Sequence, residues 1–269
     1  MSYTTKLADH ARDVFLRATT LSDNRARIIL ATAPAAVLAL FLPAAYRDYQ
    51  SYLALGPGGP PYNVIGWLAV KLFTPFRREM FGTRIYDRKV QGGQDVEFLT
   101  DLPRRDGERP TMGAFTVPQR QINQQPSQEM KEKFMAAYIA FLDKNAHVLD
   151  HAPSILERFT EAGHVRGDVL TPVAKQMRRE IFHVHGTSDH SIHVVLTPRD
   201  CKRVIEAGWG QRFPLAGSTF LRNLSFGRLG VLPEEYVLVY APRTEEEIQI
   251  VIGILAAGVK YVAGSSDVR

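Results

Sequence analysis

Four of the eight histidines of this chain lie within eleven residues, in the segment His183-Val184-His185-Gly186-Thr187-Ser188-Asp189-His190-Ser191-Ile192-His193. Imidazole exchanges its proton near neutral pH and is also a common metal ligand. Three imidazoles and a carboxylate can hold a divalent metal ion through nitrogen. They can also act without a metal, with Asp189 orienting one ring so that its other nitrogen accepts a proton. The spacing leaves both chemistries open.

The elements that must position these residues are two strands joined by a short turn. Residues 178–185 and 189–196 alternate with period two, and Gly186-Thr187-Ser188 between them is typical of a hairpin. A three-residue turn pairs residue 185 with 189 and residue 183 with 191. Because side chains of one parity share a face, this pairing predicts a common face for His183, His185, Asp189, Ser191 and His193. The alternative is a solvated sheet face that merely tolerates histidines, and a one-residue slip would change the pairing.

A second group of candidate residues follows a predicted helix that starts at Thr197 and stops at Gly208. The loop Trp209-Gly210-Gln211-Arg212-Phe213-Pro214-Leu215-Ala216-Gly217 combines an aromatic ring, an amide and a guanidinium. Such a loop can line a pocket for a flat anionic ligand, with Trp209 stacking and Arg212 pairing with an enolate or carboxylate. Trp209 as part of the core is an equally fair interpretation. The predicted substrate-binding residues are Trp209, Arg212, Phe213, Tyr240 and Arg243.

Tyr240 ends a third predicted strand, 235–240, and Arg243 follows it. Arg243 either reaches the pocket or balances the acids Glu245, Glu246 and Glu247 at the start of a last helix, and the second role is slightly favoured. That helix is predicted to run from Thr244 to about Gly258, with a further strand at 260–263. A helix is also expected after Ser127, whereas 150–172 is undecided between strand and helix. The order of elements predicts an α+β fold in which helices pack on an antiparallel β-sheet.

Composition restricts the class of protein. The chain has 269 residues and a single cysteine, Cys201, which excludes an intrachain disulfide and a site built from cysteines alone. The formal charge is +5, but 33 Lys and Arg are scattered among 28 acids. This balance gives no indication of nucleic acid as a partner and is compatible with an anionic membrane surface.

The amino-terminal region carries a candidate membrane anchor. Residues 28–46 contain no charged side chain, and at 1.5 Å per residue this run roughly matches the ~30 Å hydrocarbon core of a bilayer. Pro34 and Pro43 would bend such a helix, and a buried core helix is the alternative. The sequence predicts attachment to an intracellular membrane through residues 28–46. Denser basic residues before the run favour a cytosolic amino terminus, but a second apolar patch could return the chain, so sidedness stays open.

The chain is therefore divided into three predicted regions. Residues 1–50 hold an amphipathic stretch and the anchor, and 51–126 hold a Gly/Pro linker, an interfacial segment and loops. The interfacial segment is the apolar patch 64–73, for which a core helix is an equally good interpretation. Residues 127–269 form the α+β domain. An α+β chain preceded by a membrane-anchor helix is the predicted fold class.

Several motifs taken together resemble a known family. They are Arg47-Asp48-Tyr49-Gln50, Leu55-Gly56-Pro57, Ile85-Tyr86-Asp87-Arg88, Arg179-Glu180-Ile181, His183-Val184-His185, Asp189, His193, Gly208-Trp209-Gly210-Gln211-Arg212, Pro214-Leu215-Ala216-Gly217, and Tyr240-Ala241-Pro242-Arg243 with Glu245-Glu246-Glu247. This ordered set resembles the luciferases of luminous fungi and the wider luciferase-like family. The resemblance is strongest between Arg179 and Glu247.

The resemblance implies a membrane-anchored oxygenase that adds O₂ to the pyrone 3-hydroxyhispidin and releases CO₂, without a known organic cofactor or metal. Under it, we hypothesise that His183, His185 or His193, oriented by Asp189, deprotonates an enolic substrate while Arg212 stabilises the anion. A divalent metal held by the three histidines is the alternative, and a non-catalytic homologue is another. The family's histidine after the Trp-Gly-Gln-Arg motif is Phe213 here, which argues against light emission.

Overall fold

A computed structural model describes residues 10, 12–14, 20, 26, 32, 39–94, 96–167, 170–218 and 232–269. The chain divides into two compact units, Met1–Ser51 and Tyr52–Arg269. In the first unit the continuously described residues, 39–51, are helical, and Leu40, Phe41, Leu42 and Tyr46 are exposed. The second unit contains the sheet and the candidate site.

The second unit is built on a six-stranded antiparallel sheet with the order β1-β2-β3-β4-β6-β5. The strands are β1 Leu149–Pro153, β2 Glu161–Val165, β3 Glu180–Val184, β4 Ile192–Val195, β5 Gly210–Arg212 and β6 Tyr236–Val239. In the central strands β3, β4 and β6 every residue is buried, because both faces of the sheet are covered. The predicted α+β class, with helices on an antiparallel sheet, is confirmed.

Six helices accompany this sheet among the described residues of the second unit. They are α1 Val64–Phe73, α2 Arg84–Gln91, α3 Gln128–Lys144, α4 Pro172–Gln176, α5 Pro198–Glu206 and α6 Glu245–Ala263. A 3₁₀ turn, Thr74–Phe76, follows α1. Three predicted helix starts are confirmed: the side chains of Ser127, Thr197 and Thr244 each accept a hydrogen bond from a backbone N–H of the first turn.

One face of the sheet carries the core. Helix α6 packs against β2, β3 and β4 as well as against α3, and the ring of Phe182 on β3 lies edge-on to Tyr138 of α3 at 5.7 Å. Gly258 permits the close approach of α6. A Cβ at that position would lie 2.7 Å from Val194 Cγ2 and 3.0 Å from Val195 O. The opposite face of the sheet carries the histidines.

The structure corrects the predicted hairpin register. In β3 and β4, His183 pairs with His193 and Phe182 with Val194, and His185 N donates to Ser191 O. The connection therefore contains five residues, 186–190, rather than three. Within it His190 has a φ of 61°. Because the register moves by two residues, the parity survives, and His183, His185 and His193 still share a face.

Three further expectations differ from the structure. Residues 260–263 belong to α6 and not to a strand, because the apolar face of that helix continues through Val259 and Val262. The Trp209 loop contains β5, whose Gln211 pairs with Leu238. The undecided stretch 150–172 supplies most of β1 and all of β2.

The predicted anchor, residues 28–46, lies mostly outside the described residues. Within the part of the chain that is described, no helix combines the length and the apolar character needed to cross a bilayer. The predicted interfacial segment is helix α1, which buries Gly66 and Val70 and exposes Val64, Ile65, Leu68 and Leu72. Membrane attachment stays a prediction.

Candidate active site

The candidate site is a cavity of about 170 Å³ on the histidine face of the sheet. This is several times the ~30 Å³ that a water molecule occupies in the liquid. His183, His185 and His193 lie together in its lining, with ring centroids 5.0 to 5.4 Å apart. We call these three side chains the histidine face. They are almost fully buried, so the solvated sheet face considered above is wrong.

His183 is held by a buried carboxylate. Its Nδ1 lies 2.6 Å from Glu180 Oε1, and Glu180 also accepts hydrogen bonds from Ser154 Oγ at 2.9 Å and Ile155 N at 2.7 Å. Burial opposes the charged form of Glu180, but these hydrogen bonds and the nearby His183 outweigh it and lower its pKa. Glu180 is therefore a carboxylate at neutral pH, Nδ1 of His183 donates to it, and Nε2 is left for the cavity.

His185 is oriented through a hydroxyl. Its Nδ1 lies 2.8 Å from Ser191 Oγ, which in turn donates to Asp189 Oδ2 at 2.8 Å. Asp189 Oδ2 also accepts from Gln121 N at 2.6 Å. The predicted orientation of an imidazole by Asp189 is thus seen in the structure, with Ser191 as the intermediate group. The other ring nitrogen, Nε2, is buried and has no hydrogen-bond partner.

His193 is fixed mainly by ring contacts. It stacks on Tyr236 with centroids 4.7 Å apart and 11° between the planes, and Phe213 lies edge-on to it at 5.3 Å. Its Nδ1 is buried and has no hydrogen-bond partner. Phe213 also lines the cavity, and substrate binding by it stays a prediction.

Burial sets the protonation state of two of the imidazoles, His185 and His193. Burial lowers the pKa of His185 well below its usual range, and the positive charge of Arg120 acts in the same direction. Burial also lowers the pKa of His193, with His185 and His183 adding to the effect. Both rings are therefore neutral at pH 7, and a neutral imidazole keeps a lone pair on one nitrogen.

A buried ion pair, Arg120–Glu157, lines the cavity beside the imidazoles. Glu157 Oε2 lies 4.0 Å from His185 Nε2. Burial raises the pKa of Glu157, and the charge of Arg120 opposes that shift. Gly58 leaves room for the pair, since a Cβ there would lie 2.8 Å from both Glu157 carboxylate oxygens.

The cavity wall that carries Arg120 is a loop whose two ends are joined by a backbone hydrogen bond. Gly113 N donates to Arg120 O at 2.8 Å, and an isolated bridge joins Met112 to Gln121 just outside this bond. Residues 114–120 therefore form a loop with joined ends, and four of them line the cavity: Val117, Pro118, Gln119 and Arg120. Gln121 ties the loop to the site by donating to Asp189.

The structure places four predicted substrate-binding residues outside the cavity lining. Trp209 is buried in the core and donates from Nε1 to Pro103 O at 2.6 Å. Arg212 donates to the backbone of Glu79, and Tyr240 donates to Gln211 Oε1 at 3.0 Å. Arg243 pairs with Glu247, which agrees with the favoured role of balancing the acids of the last helix. The hydrogen bonds, ion pairs and ring contacts of these four among the described residues do not reach the histidine face, and substrate binding by them stays a prediction.

Sequence reasoning missed Glu180, Glu157 and Arg120. Strict alternation would place Glu180 and His183 on opposite faces of the sheet. The pairing of β2 with β3 is irregular, however: Phe182 pairs with Gly163 and Glu180 pairs with the next residue, His164. This irregularity breaks the alternation in β3. One sequence feature could have identified Glu180, because this residue lies inside the family motif Arg179-Glu180-Ile181. Glu157 and Arg120 had none, because each lies in a loop far along the chain from the histidines.

A concave cavity lined by a few convergent polar groups is the kind of site in which proteins commonly hold small molecules. The family model described as "Luciferase domain" matches residues 178–258. The chain is 34% identical over 254 residues to the luciferase of Armillaria mellea, covering 89% of each chain. It is 32% identical over 238 residues to the luciferase of Neonothopanus nambi, covering 83% of each. No solved structure matches the chain. The chain belongs to the fungal luciferase family.

Proposed function

We propose that this chain is an oxygenase that adds O₂ to a small enolic or pyrone substrate of the 3-hydroxyhispidin kind. The observation that carries the proposal is the cavity over the histidine face in a chain of this family. The substrate is placed with its enol oxygen toward the imidazoles. O₂ is the co-substrate, and no organic cofactor takes part.

The reaction needs two things from the protein. The enol must lose its O–H proton, and the resulting enolate must be stabilised while its electron-rich carbon forms a bond to O₂ and the electrons pass to oxygen as a peroxide. The cavity lining offers proton acceptors in the buried imidazoles and in Glu157. Arg120 supplies a positive charge beside them. Arg120, rather than Arg212, is the guanidinium that lines the cavity.

The position of Phe213 bears on light emission. The family resemblance puts a histidine at this position, and here an apolar ring contacts His193. The pocket therefore lacks one titratable group that the luminous relatives carry. We propose oxygenation without efficient light emission.

The test is O₂ consumption by the purified full chain with 3-hydroxyhispidin and a set of smaller hydroxypyrones. We expect His183→Ala and His193→Ala to lower turnover by about 10²- to 10⁴-fold, the usual contribution of a group that assists proton transfer. His151→Ala is the matched control, because this half-exposed imidazole contacts Glu161 on the sheet edge. Circular dichroism verifies that each variant is folded. Wild-type turnover in folded His193→Ala would overturn the proposal, and no O₂ consumption by the wild type with any enol would indicate a non-catalytic homologue.

A further inference from the structure

We propose that His183, His185 and His193 form a binding site for one divalent transition-metal ion. The inference rests on the proposed function for the identity of the substrate and changes the role of the imidazoles: with all three bound to the ion they are ligands, and Glu157 is the proton acceptor of the cavity lining. The three residues each offer one ligand nitrogen, and these atoms lie within 4.8 Å of one another. A tetrahedral zinc ion with Zn–N distances of about 2.1 Å needs them about 3.4 Å apart, so binding requires the rings to move closer together.

The unsatisfied atoms of the face support this assignment. His185 Nε2 and His193 Nδ1 are buried without a hydrogen-bond partner. A buried polar atom left unpaired is destabilising, because it has lost its hydrogen bond to water without replacement. A metal ion satisfies both atoms at once, together with the ring nitrogen of His183 that Glu180 leaves unused.

The hydrogen bonds behind the imidazoles are those that metal ligands require. A ligating histidine commonly donates its second ring N–H to a carboxylate, a backbone carbonyl or a water, which fixes the ring and raises its basicity. His183 has Glu180 in this role at 2.6 Å. His185 reaches Asp189 through Ser191, and the ring of His193 is held by stacking on Tyr236. Two of the three rings are thus oriented by hydrogen bonds and the third by a ring contact.

The charges around the face suit a divalent cation. The carboxyl groups of Glu180, Asp189 and Glu157 surround the imidazoles, and Arg120 is the one Lys or Arg side chain that lines the cavity within the described chain. An ion with three imidazole ligands also keeps an open position toward the cavity for a substrate oxygen. Imidazole ligands favour Zn²⁺, Cu²⁺, Ni²⁺ and Fe²⁺ over Mg²⁺ and Ca²⁺.

The experiment measures metal binding directly on the full chain. The protein is stripped with a chelator, dialysed and titrated with Co²⁺, whose visible absorption reports nitrogen coordination, and bound metal is counted by mass spectrometry. We expect about one Co²⁺ per chain, displaced by Zn²⁺. His183→Ala and His193→Ala are expected to lose the absorption, whereas His151→Ala keeps it. Glu180→Gln, which preserves the shape of the site, is expected to weaken binding about 10- to 100-fold.

Two outcomes overturn the inference: no Co²⁺ bound by the folded wild type, or equal binding by the wild type and folded His193→Ala. The metal site and the oxygenase activity can fail separately. If metal-free protein consumes O₂ at the full rate, the metal takes no part in the reaction and the proposed oxygenase activity stands. If the protein binds Co²⁺ but turns over no enol, the metal site stands and the proposed oxygenase activity is wrong.

Discussion

Phe213 stands in the cavity lining at a position where the family resemblance implies a histidine. Its ring is 5.3 Å from His193 and 5.5 Å from Tyr236, both edge-on. A histidine there would stand beside His193 and add a proton acceptor to the lining. Replacing Phe213 by histidine removes little volume, so the rings of His193 and Tyr236 need not move far.

We expect Phe213→His to increase luminescence with 3-hydroxyhispidin over the wild-type level. The physical reason is the extra titratable ring next to the histidine face. Light output per O₂ consumed is the measurement. Phe213→Leu is the control, since it changes the shape without adding a polar atom, and a gain in that variant as large as in Phe213→His would show that shape alone is responsible.

The ion pair Arg120–Glu157 is a second residue-scale feature, and both side chains are nearly inaccessible to solvent. Glu157→Met leaves a buried guanidinium without its counter-charge, and we expect a loss of about 3–5 kcal/mol in the free energy of unfolding. The double variant Arg120→Met with Glu157→Met should lose less than Glu157→Met alone, because both charges leave together. Urea unfolding checks the difference. Equal losses would mean that the pair does not act as a unit.

At the scale of elements, helix α6 contains two glycines with opposite surroundings. Gly258 lies against Val194 and Val195 of β4, whereas a Cβ at Gly253 would meet no atom within 4 Å. Gly258→Ala forces the helix away from the sheet and is expected to cost about 1–3 kcal/mol. Gly253→Ala is expected to stabilise by up to about 1 kcal/mol through helix propensity. Urea unfolding of both variants provides the comparison, and a destabilised Gly253→Ala would contradict it.

Helix starts and the faces of strands can be predicted from the sequence, whereas strand register cannot. The starts of α3, α5 and α6 were predicted because a hydroxyl cap and its first turn are adjacent in the chain. The shared face of the histidines was also predicted, since parity depends only on local alternation. The register of the hairpin is not predictable in the same way. It depends on the length of the turn, and that length is fixed by the contacts of His185 with Ser191 and Asp189. Likewise the approach of Glu157 and Arg120 depends on tertiary packing that no local pattern carries.

At the scale of the whole molecule, the sheet, its core and the cavity all lie within residues 52–269. We therefore expect this stretch to fold by itself and to unfold at the same temperature as the full chain. Differential scanning calorimetry of the two proteins measures this, with Co²⁺ titration as a second comparison. A large fall in the unfolding temperature would show that residues 1–51 contribute to the stability of the sheet. Attachment through residues 28–46 stays a separate prediction, to be measured by flotation of the full chain with lipid vesicles.

The histidine face and the opposite wall of the cavity come from different segments of the chain. The histidines sit on strands inside the segment matched by the family model, residues 178–258, whereas the wall comes from the closed loop 114–120 and from Gly58 and Glu157. Residues 117–119 of that loop can change the shape of the pocket while Arg120 and the histidine face stay in place. Exchanging residues 114–119 between relatives is therefore a direct way to alter which small molecules the cavity accommodates while the sheet is kept.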